Sequence, residues 1–147
     1  GLLITGASGS GKTQLCFELL ERAESRAGFG LSGWVSDDRT HLRFDDAGCV
    51  LASAPANLRG LAEMRYLGPV SVAARGDVAV THWVQLMPEV DIDRVQDAHR
   101  RRELPHLNVM VDFLQAPAGK ITLAARLIEC WLTQPPDSRV TIAEMDH

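Results

Sequence analysis

The residues with the clearest chemical potential form one continuous run near the start of the chain. It consists of Gly6, Ala7, Ser8, Gly9, Ser10, Gly11, Lys12 and Thr13. The run matches the pattern G-x-x-x-x-G-K-[ST] of phosphate-binding loops, in which glycines let successive backbone N–H groups point at phosphate oxygens. In that pattern Lys12 is expected to contact the β- and γ-phosphates, and the Thr13 hydroxyl to bind Mg²⁺. The run therefore predicts a site for a nucleoside polyphosphate, and we refer to it as the P-loop.

The flanking segments have the patterns that a P-loop needs on either side. The apolar residues Leu2, Leu3 and Ile4 precede it and predict a strand. After it, apolar residues recur at helical spacing, at Leu15, Cys16, Leu19, Leu20 and Ala23. The positive end of such a helix lies under the bound phosphates and stabilises their charge.

Two further groups contain carboxylates that phosphate chemistry could use. Asp37 and Asp38 follow Trp34-Val35-Ser36, and at the end of a strand one would face the site while the other braces a loop or the metal shell. The other interpretation is that this pair starts a turn. Glu63 and Arg65 are two residues apart and project to the same side of an extended segment. They could hold Mg²⁺ and a phosphate, although an isolated pair of this kind is ordinarily a surface ion pair.

The rest of the chain predicts an α/β fold with its helices near the two ends. A β-hairpin is expected at 40–51, a loop or short helical turn at 55–61, strands at 70–72, 78–86 and 106–114, a loop or exposed helix at 88–103, and an amphipathic helix at 121–132 that Pro135 and Pro136 end. Because the middle of the chain is rich in strands and hairpins, we expect the P-loop to lie in a mixed, largely antiparallel sheet. Residues 1–134 are predicted to form the catalytic domain and residues 135–147 a C-terminal tail.

Composition narrows the classes of partner and compartment. The chain has 147 residues and a net charge of −4, which disfavours a nucleic-acid partner, and the cluster Arg100–Arg102 is interpreted as a solvated helix face. No apolar run is long enough to span a membrane. Cys16, Cys49 and Cys130 are interpreted as buried free thiols, which favours a reducing, cytoplasmic location. Since the chain begins inside a predicted strand, we expect its natural N-terminus to lie upstream.

Three motifs in order give the chain a family resemblance. They are the segment 3–13 with the P-loop, the segment Val35-Ser36-Asp37-Asp38-Arg39, and the segment Glu63-Met64-Arg65-Tyr66-Leu67-Gly68. From residue 1 to about residue 132 the chain resembles the catalytic domain of HPr kinase/phosphorylase, in the short single-domain form found in alphaproteobacteria. The resemblance implies a fold like that of HPr kinase and PEP carboxykinase. It also implies an ATP- and Mg²⁺-dependent serine kinase that acts on the phosphocarrier HPr in phosphotransferase-system regulation, assembled as a homo-oligomer, a hexamer.

The resemblance also implies roles for individual residues. Lys12 would contact the transferred phosphate, and Thr13 with Glu63 would bind Mg²⁺. Asp38 would accept the proton of the substrate serine, with help from Asp37. Arg65 lies in the signature segment and is expected to bind the nucleotide, and Arg94 is the best match to an arginine that the family uses after its central strands.

Departures from the family pattern leave other functions open. Tyr66 stands where the signature has glycine, and we expect it to fill space and to stiffen and close the segment, so that phosphorylase activity is weak. The turn 118–120 only loosely matches the family's Gly-Arg-Asn turn. One alternative is a small-molecule P-loop kinase with Asp112 as metal ligand and Arg100–Arg102 as a mobile lid. Another is a regulatory module that senses ATP without turnover. A GTPase is disfavoured because no Asn-Lys-x-Asp segment is present.

Overall fold

Nine strands and two helices make up the parts of the chain that the structure describes. The structure is a computed structural model that describes residues 1–25, 32–97 and 100–133. The helices are α1 (Lys12–Ser25) and α2 (Ile121–Thr133), and short 3₁₀ turns lie at Ala56–Leu58 and Glu89–Asp91. The strands are β1 (Leu2–Gly6), β2 (His41–Phe44), β3 (Val50–Ser53), β4 (Leu61–Met64), β5 (Gly68–Ser71), β6 (Val78–Ala79), β7 (His82–Met87), β8 (Arg101–Glu103) and β9 (Met110–Pro117).

A four-stranded sheet carries the P-loop. Its strand order is β1-β7-β9-β8, with β1, β7 and β9 parallel and β8 antiparallel at the edge. Gly6 is in register with Leu86, which is in register with Ala116. The carboxyl ends of the three parallel strands therefore lie together, where ligands bind in open α/β sheets.

Side chains alternate along the parallel strands and build two cores on opposite faces of this sheet. On β7, Val84 and Leu86 belong to the core under the helices, whereas Trp83 belongs to the core on the other face. The helix-side core is completed from α1 and α2 by Leu15, Ala124, Ala125, Ile128 and Trp131. The second core joins the sheet to the antiparallel sheet β2-β3-β6.

The two helices are also tied to each other by charge. Arg22 on α1 donates to the Glu129 carboxylate on α2 at 2.8 Å and to Glu18 at 2.7 Å. Hydrogen bonds to Glu18 and then Glu129 raise the pKa of Arg22. Because Glu129 is only 4% exposed, this ion pair holds the C-terminal helix against the helix that follows the P-loop.

The predicted fold class is confirmed. Four of the six strand pairings among the described residues are antiparallel and two are parallel, and α1 and α2 lie near the two ends of the chain. The hairpin β2–β3, the short turn at Ala56–Leu58 and the amphipathic helix α2 form where they were predicted. The sheet that carries the P-loop is mixed, but β1–β7 and β7–β9 are parallel and only β8–β9 is antiparallel. The prediction that this sheet is largely antiparallel was therefore wrong, and most antiparallel pairs lie in the two smaller sheets.

Several local predictions were wrong for identifiable reasons. The segment 78–86 is two strands, because the N–H of Val80 bonds to Val50 and that of Thr81 to Gly1. Left-handed backbone at His106 (φ 67°) and Asn108 (φ 53°) makes the start of the predicted strand 106–114 a turn, so β9 runs from Met110 to Pro117.

Asp37 and Asp38 were placed on a strand but lie in a turn instead. The turn is held by hydrogen bonds from the Thr40 hydroxyl to the Asp37 carbonyl and from the Ser36 hydroxyl to the Arg39 carbonyl. These side chain to backbone bonds compete with strand pairing. The alternative interpretation of this pair, as the start of a turn, is therefore the one the backbone adopts.

The arginine cluster and two of the cysteines also differ from expectation. Arg101 and Arg102 belong to strand β8, not to a helix, and the carbonyl of Arg100 extends its pairing by accepting from the N–H of Phe113. Cys49 and Cys130 are exposed, and all three cysteines are free. Pro135, Pro136 and the tail 135–147 lie outside the described residues, so the division into domain and tail stays a prediction.

Candidate active site

The P-loop has a backbone path that only glycine allows at several positions. A Cβ on Gly6 would lie 2.8 Å from Ser10 Oγ and 2.9 Å from Leu86 Cβ, and Gly11, at φ 96°, would place one 2.5 Å from Ile121 Cδ1. The N–H of Gly119 donates to the Ser10 carbonyl at 3.0 Å. The loop is therefore seated against the start of α2 as well as on the end of β1.

Lys12 folds back over the loop. Its Nζ donates to the carbonyls of Gly6 at 3.3 Å and Ala7 at 3.2 Å, and it lies 3.6 Å from Asp38 Oδ1. The Asp38 side chain is 76% exposed. A lysine in the loop and an accessible carboxylate thus face each other at the mouth of the site.

Asp37 joins three elements through one carboxylate. Its Oδ1 accepts from the Thr13 hydroxyl at 3.0 Å, and its Oδ2 accepts from the N–H of Glu63 at 2.9 Å. Since Thr13 uses its proton in this bond, its oxygen lone pairs are available to a metal ion. The P-loop, the turn at 37–38 and strand β4 are therefore fixed relative to one another.

A cleft of about 900 Å³ lies above these groups. It is lined by residues of the P-loop and α1, by both aspartates and by the β4–β5 hairpin, including Ser8, Gly9, Gly11, Lys12, Thr13, Asp37, Asp38, Glu63, Met64 and Arg65. This volume is in the range of small-molecule and cofactor sites.

The oxygen donors fit Mg²⁺ in the way that phosphate-transfer sites use it. No group of three or more His, Cys, Asp or Glu side chains in the described ranges could hold a metal ion. Mg²⁺ in such sites is bound through one or two carboxylates, waters and the substrate phosphates. Thr13, Asp37 and Glu63 are the residues that would hold it here, with phosphate oxygens on the other side.

Cys16 lies behind the site and does not supply a nucleophile. Burial raises the pKa of its thiol to about 12, the Asp37 carboxylate adds to this, and Lys12 opposes it. A thiol with that pKa stays protonated at neutral pH, and the thiolate is the reactive form.

Tyr66 does not fill the site as predicted. It lies in the turn between β4 and β5 at φ 70°, its side chain is 97% exposed, and the Arg65 guanidinium lies 5.5 Å from its ring centroid. The ring points to solvent, so the prediction that it closes the segment was wrong. Arg65 is in the same turn, not on a strand with Glu63, yet both line the cleft.

The remaining candidate residues, Arg94 and Asp112, do not line the cleft. Arg94 is exposed in the segment after β7, and its side chain makes no hydrogen bond or ion pair with the residues of the described ranges. Asp112 is in register with His82, whereas Gly6 is level with Leu86, a separation of about 13 Å along the strands. Asp112 lies 3.7 Å from His82 Nε2 and 3.6 Å from Arg101 Nε.

The proposed arginine lid is also absent from this arrangement. The guanidinium carbons of Arg100 and Arg102 lie 5.2 Å and 5.0 Å from the Phe113 ring centroid. These contacts hold both side chains against the sheet.

The structure also contains an ion pair that the sequence did not indicate, between Lys120 at the start of α2 and Glu89. The two residues are 31 positions apart, so no local sequence pattern reveals the pair.

Comparison with known proteins gives concordant results. No family model matches the chain. It is 32% identical over 124 residues to the HPr kinase/phosphorylase of Bordetella pertussis, covering 84% of this chain and 38% of that protein. With the HPr kinase/phosphorylase of Leptothrix cholodnii it shares 33% identity over 126 residues, covering 84% and 36%. The chain is homologous to the catalytic domain of HPr kinase/phosphorylase.

The structural comparison supports the same fold. The Hpr(Ser) kinase/phosphatase from Coxiella burnetii superposes with a TM-score of 0.71 at 21% identity, covering 90% of this chain and 80% of that one. The chain spans about two fifths of the length of the HPr kinase/phosphorylases named above.

No helix in the described part of the chain is long and apolar enough to cross a membrane.

Proposed function

We propose that the chain is an ATP- and Mg²⁺-dependent serine kinase domain that phosphorylates the phosphocarrier protein HPr. The observation that carries the proposal is that two adjacent aspartates make different contacts. Asp37 accepts the Thr13 hydroxyl at 3.0 Å, and Asp38 lies exposed 3.6 Å from Lys12. These contacts support a role for Asp37 beside the metal ion and a role for Asp38 beside the acceptor.

The P-loop residues would bind and orient the phosphates. Glycine-rich backbone offers N–H donors, and Lys12 would exchange the carbonyls of Gly6 and Ala7 for phosphate oxygens. A Mg²⁺ ion held in the site would supply positive charge against the phosphates during transfer. Thr13, Asp37 and Glu63 would hold that ion, while Arg65 and Arg94 are the cations proposed to approach the nucleotide from the rim.

Asp38 would act as the general base. An accessible carboxylate beside Lys12 can accept the proton of a serine hydroxyl as that oxygen attacks the terminal phosphate. Its exposure suits a protein substrate, whose serine must reach the site from solvent. Because the Tyr66 ring points outwards, it does not block the reverse reaction with inorganic phosphate. The loose match of the turn 118–120 to the family's Gly-Arg-Asn turn is the remaining ground on which we propose weak phosphorylase activity.

The alternative as a small-molecule kinase is less well supported. It required Asp112 at the metal and a mobile lid at Arg100–Arg102. Asp112 pairs with residues at the other end of the strands, and Arg100 and Arg102 lie over Phe113.

Homology with HPr kinase/phosphorylase favours HPr as the partner and a cytoplasmic role in phosphotransferase-system regulation. It also favours the absence of a nucleic-acid partner. A hexameric assembly stays a prediction.

The test is a phosphate-transfer assay in which the labelled acceptor is identified afterwards. The protein is incubated with γ-labelled ATP, Mg²⁺ and the HPr of its own organism, and the labelled residue is located by mass spectrometry. We expect label on one serine of HPr, dependent on Mg²⁺. Label appearing only on small molecules would favour the alternative kinase, and tight ATP binding with no transfer to any acceptor would favour the ATP-sensing module.

A further inference from the structure

The tip of the β4–β5 hairpin exposes large side chains beside the cleft. Tyr66 is 97% exposed and Leu67 is 70% exposed. The preceding residues of the same hairpin, Glu63, Met64 and Arg65, line the cleft above the P-loop. Anything seated on the tip is therefore held at the mouth of the site.

The backbone at the tip is unfavourable for the residue it carries. Tyr66 has φ 70° and Gly68 has φ 89°, a region that glycine adopts freely and bulky residues rarely do. A tyrosine there gains almost no burial, since its ring is in solvent. Strain and exposure at one residue next to a site are the combination that points to a functional contact.

The hairpin is also fixed to the catalytic elements. The N–H of Glu63 donates to Asp37 Oδ2 at 2.9 Å, and the other oxygen of Asp37 holds Thr13. The N–H of Val72 donates to the Gly60 carbonyl at 2.9 Å and closes the base of the hairpin. A partner on the tip is thus positioned relative to the P-loop through a short chain of hydrogen bonds.

We propose that Tyr66 and Leu67 form the docking contact for the protein that carries the acceptor serine. This inference rests on the proposed function and gives it a recognition surface. The partner must present an apolar patch near its serine. A small-molecule acceptor would not need such a tip, because aromatic anchors of this kind are typical of protein interfaces.

The test compares a tip variant with a remote control. Tyr66→Gly/Leu67→Ser removes the contact and relieves the backbone at residue 66. Met110→Ser removes a side chain that is 46% exposed at the amino end of β9, far from the P-loop. We expect the tip variant to raise the KM for HPr about tenfold or more, with kcat, ATP affinity and oligomeric mass unchanged. Met110→Ser should leave all four unchanged.

Other outcomes separate the docking inference from the proposed function. An unchanged KM in the tip variant, with wild-type HPr phosphorylation intact, overturns the docking contact and leaves the kinase proposal standing. If wild type binds HPr without phosphorylating it and the tip variant loses that binding, docking stands and the kinase proposal fails. If wild type neither binds nor phosphorylates HPr, both fail. A change in oligomeric mass without a change in KM would identify the tip as a contact between copies of the chain and overturn the inference.

Discussion

Asp37 and Asp38 are neighbours in the sequence, yet we expect their removal to have different consequences. Loss of Asp37 should lower stability, whereas loss of Asp38 should lower the rate of phosphate transfer. Asp37 accepts two hydrogen bonds, from Thr13 at 3.0 Å and from Glu63 at 2.9 Å. Bonds to a charged group contribute about 1.5–3 kcal/mol each when buried, and Asp37 is only partly buried. We therefore expect Asp37→Ala to lower the free energy of unfolding by about 2 kcal/mol.

Asp38 makes a different contribution. Its side chain is 76% exposed and its ion pair with Lys12 spans 3.6 Å, and exposed pairs of this kind contribute at most about 1 kcal/mol. Asp38→Asn should therefore leave stability nearly unchanged, while phosphate transfer falls by roughly 10²–10⁴-fold because the base is lost. ATP affinity should be retained.

The assay is urea denaturation of both variants beside wild type, followed by ATP binding and transfer to HPr. A shift of the urea midpoint at constant slope reports stability alone. Destabilisation by Asp38→Asn as large as that by Asp37→Ala would refute the assignment of the two carboxylates. Equal loss of ATP affinity and turnover in Asp38→Asn would show that this residue binds the metal and is not the base.

Three further outcomes are expected. Lys12→Ala should weaken both ATP affinity and transfer, since Lys12 contacts phosphate throughout the reaction, and loss of only one of them would contradict this role. Because the pKa of Cys16 is raised to about 12 in the fold, stability should be intact below pH 9 and then fall by up to about 1.4 kcal/mol per pH unit. Urea titrations from pH 7 to 10 should show Cys16→Ala losing this dependence and the exposed control Cys49→Ala keeping it. Tyr66→Gly should be more stable than Tyr66→Ala by about 1 kcal/mol in thermal unfolding, since only glycine tolerates φ 70° without strain, and the reverse order would contradict a left-handed backbone at residue 66.

Local patterns in the sequence were sufficient for the elements whose signals are short-range. The strand β1, the helix α1 and the hairpin β2–β3 are each specified by residues within about a dozen positions, and they form where predicted. The three motifs also carry the resemblance to HPr kinase/phosphorylase. Their side chains come together in the structure, with Asp37 on Thr13 and Asp38 beside Lys12.

The errors arose where tertiary contacts override local patterns. Arg100 and Arg102 have the charge pattern of a solvated helix, but the rings of Phe113 and Trp83 and pairing with β9 hold them at a sheet edge. Tyr66 was expected to fill space and close its segment, yet it adopts left-handed backbone and turns its ring outwards. Backbone strain of this kind leaves no signal in hydrophobic periodicity.

The most direct test of the central claim is a crystal structure with Mg²⁺ and a non-hydrolysable ATP analogue. We expect Thr13 Oγ1 to lie about 2.0–2.1 Å from the metal, Asp37 to retain its bond to Thr13, and Lys12 to move from the loop carbonyls to the terminal phosphate. Asp38 should face the solvent side of that phosphate, where a serine hydroxyl can enter between them. A metal bound at Asp112, or a terminal phosphate that faces away from Asp38, would contradict the proposed phosphate-transfer site.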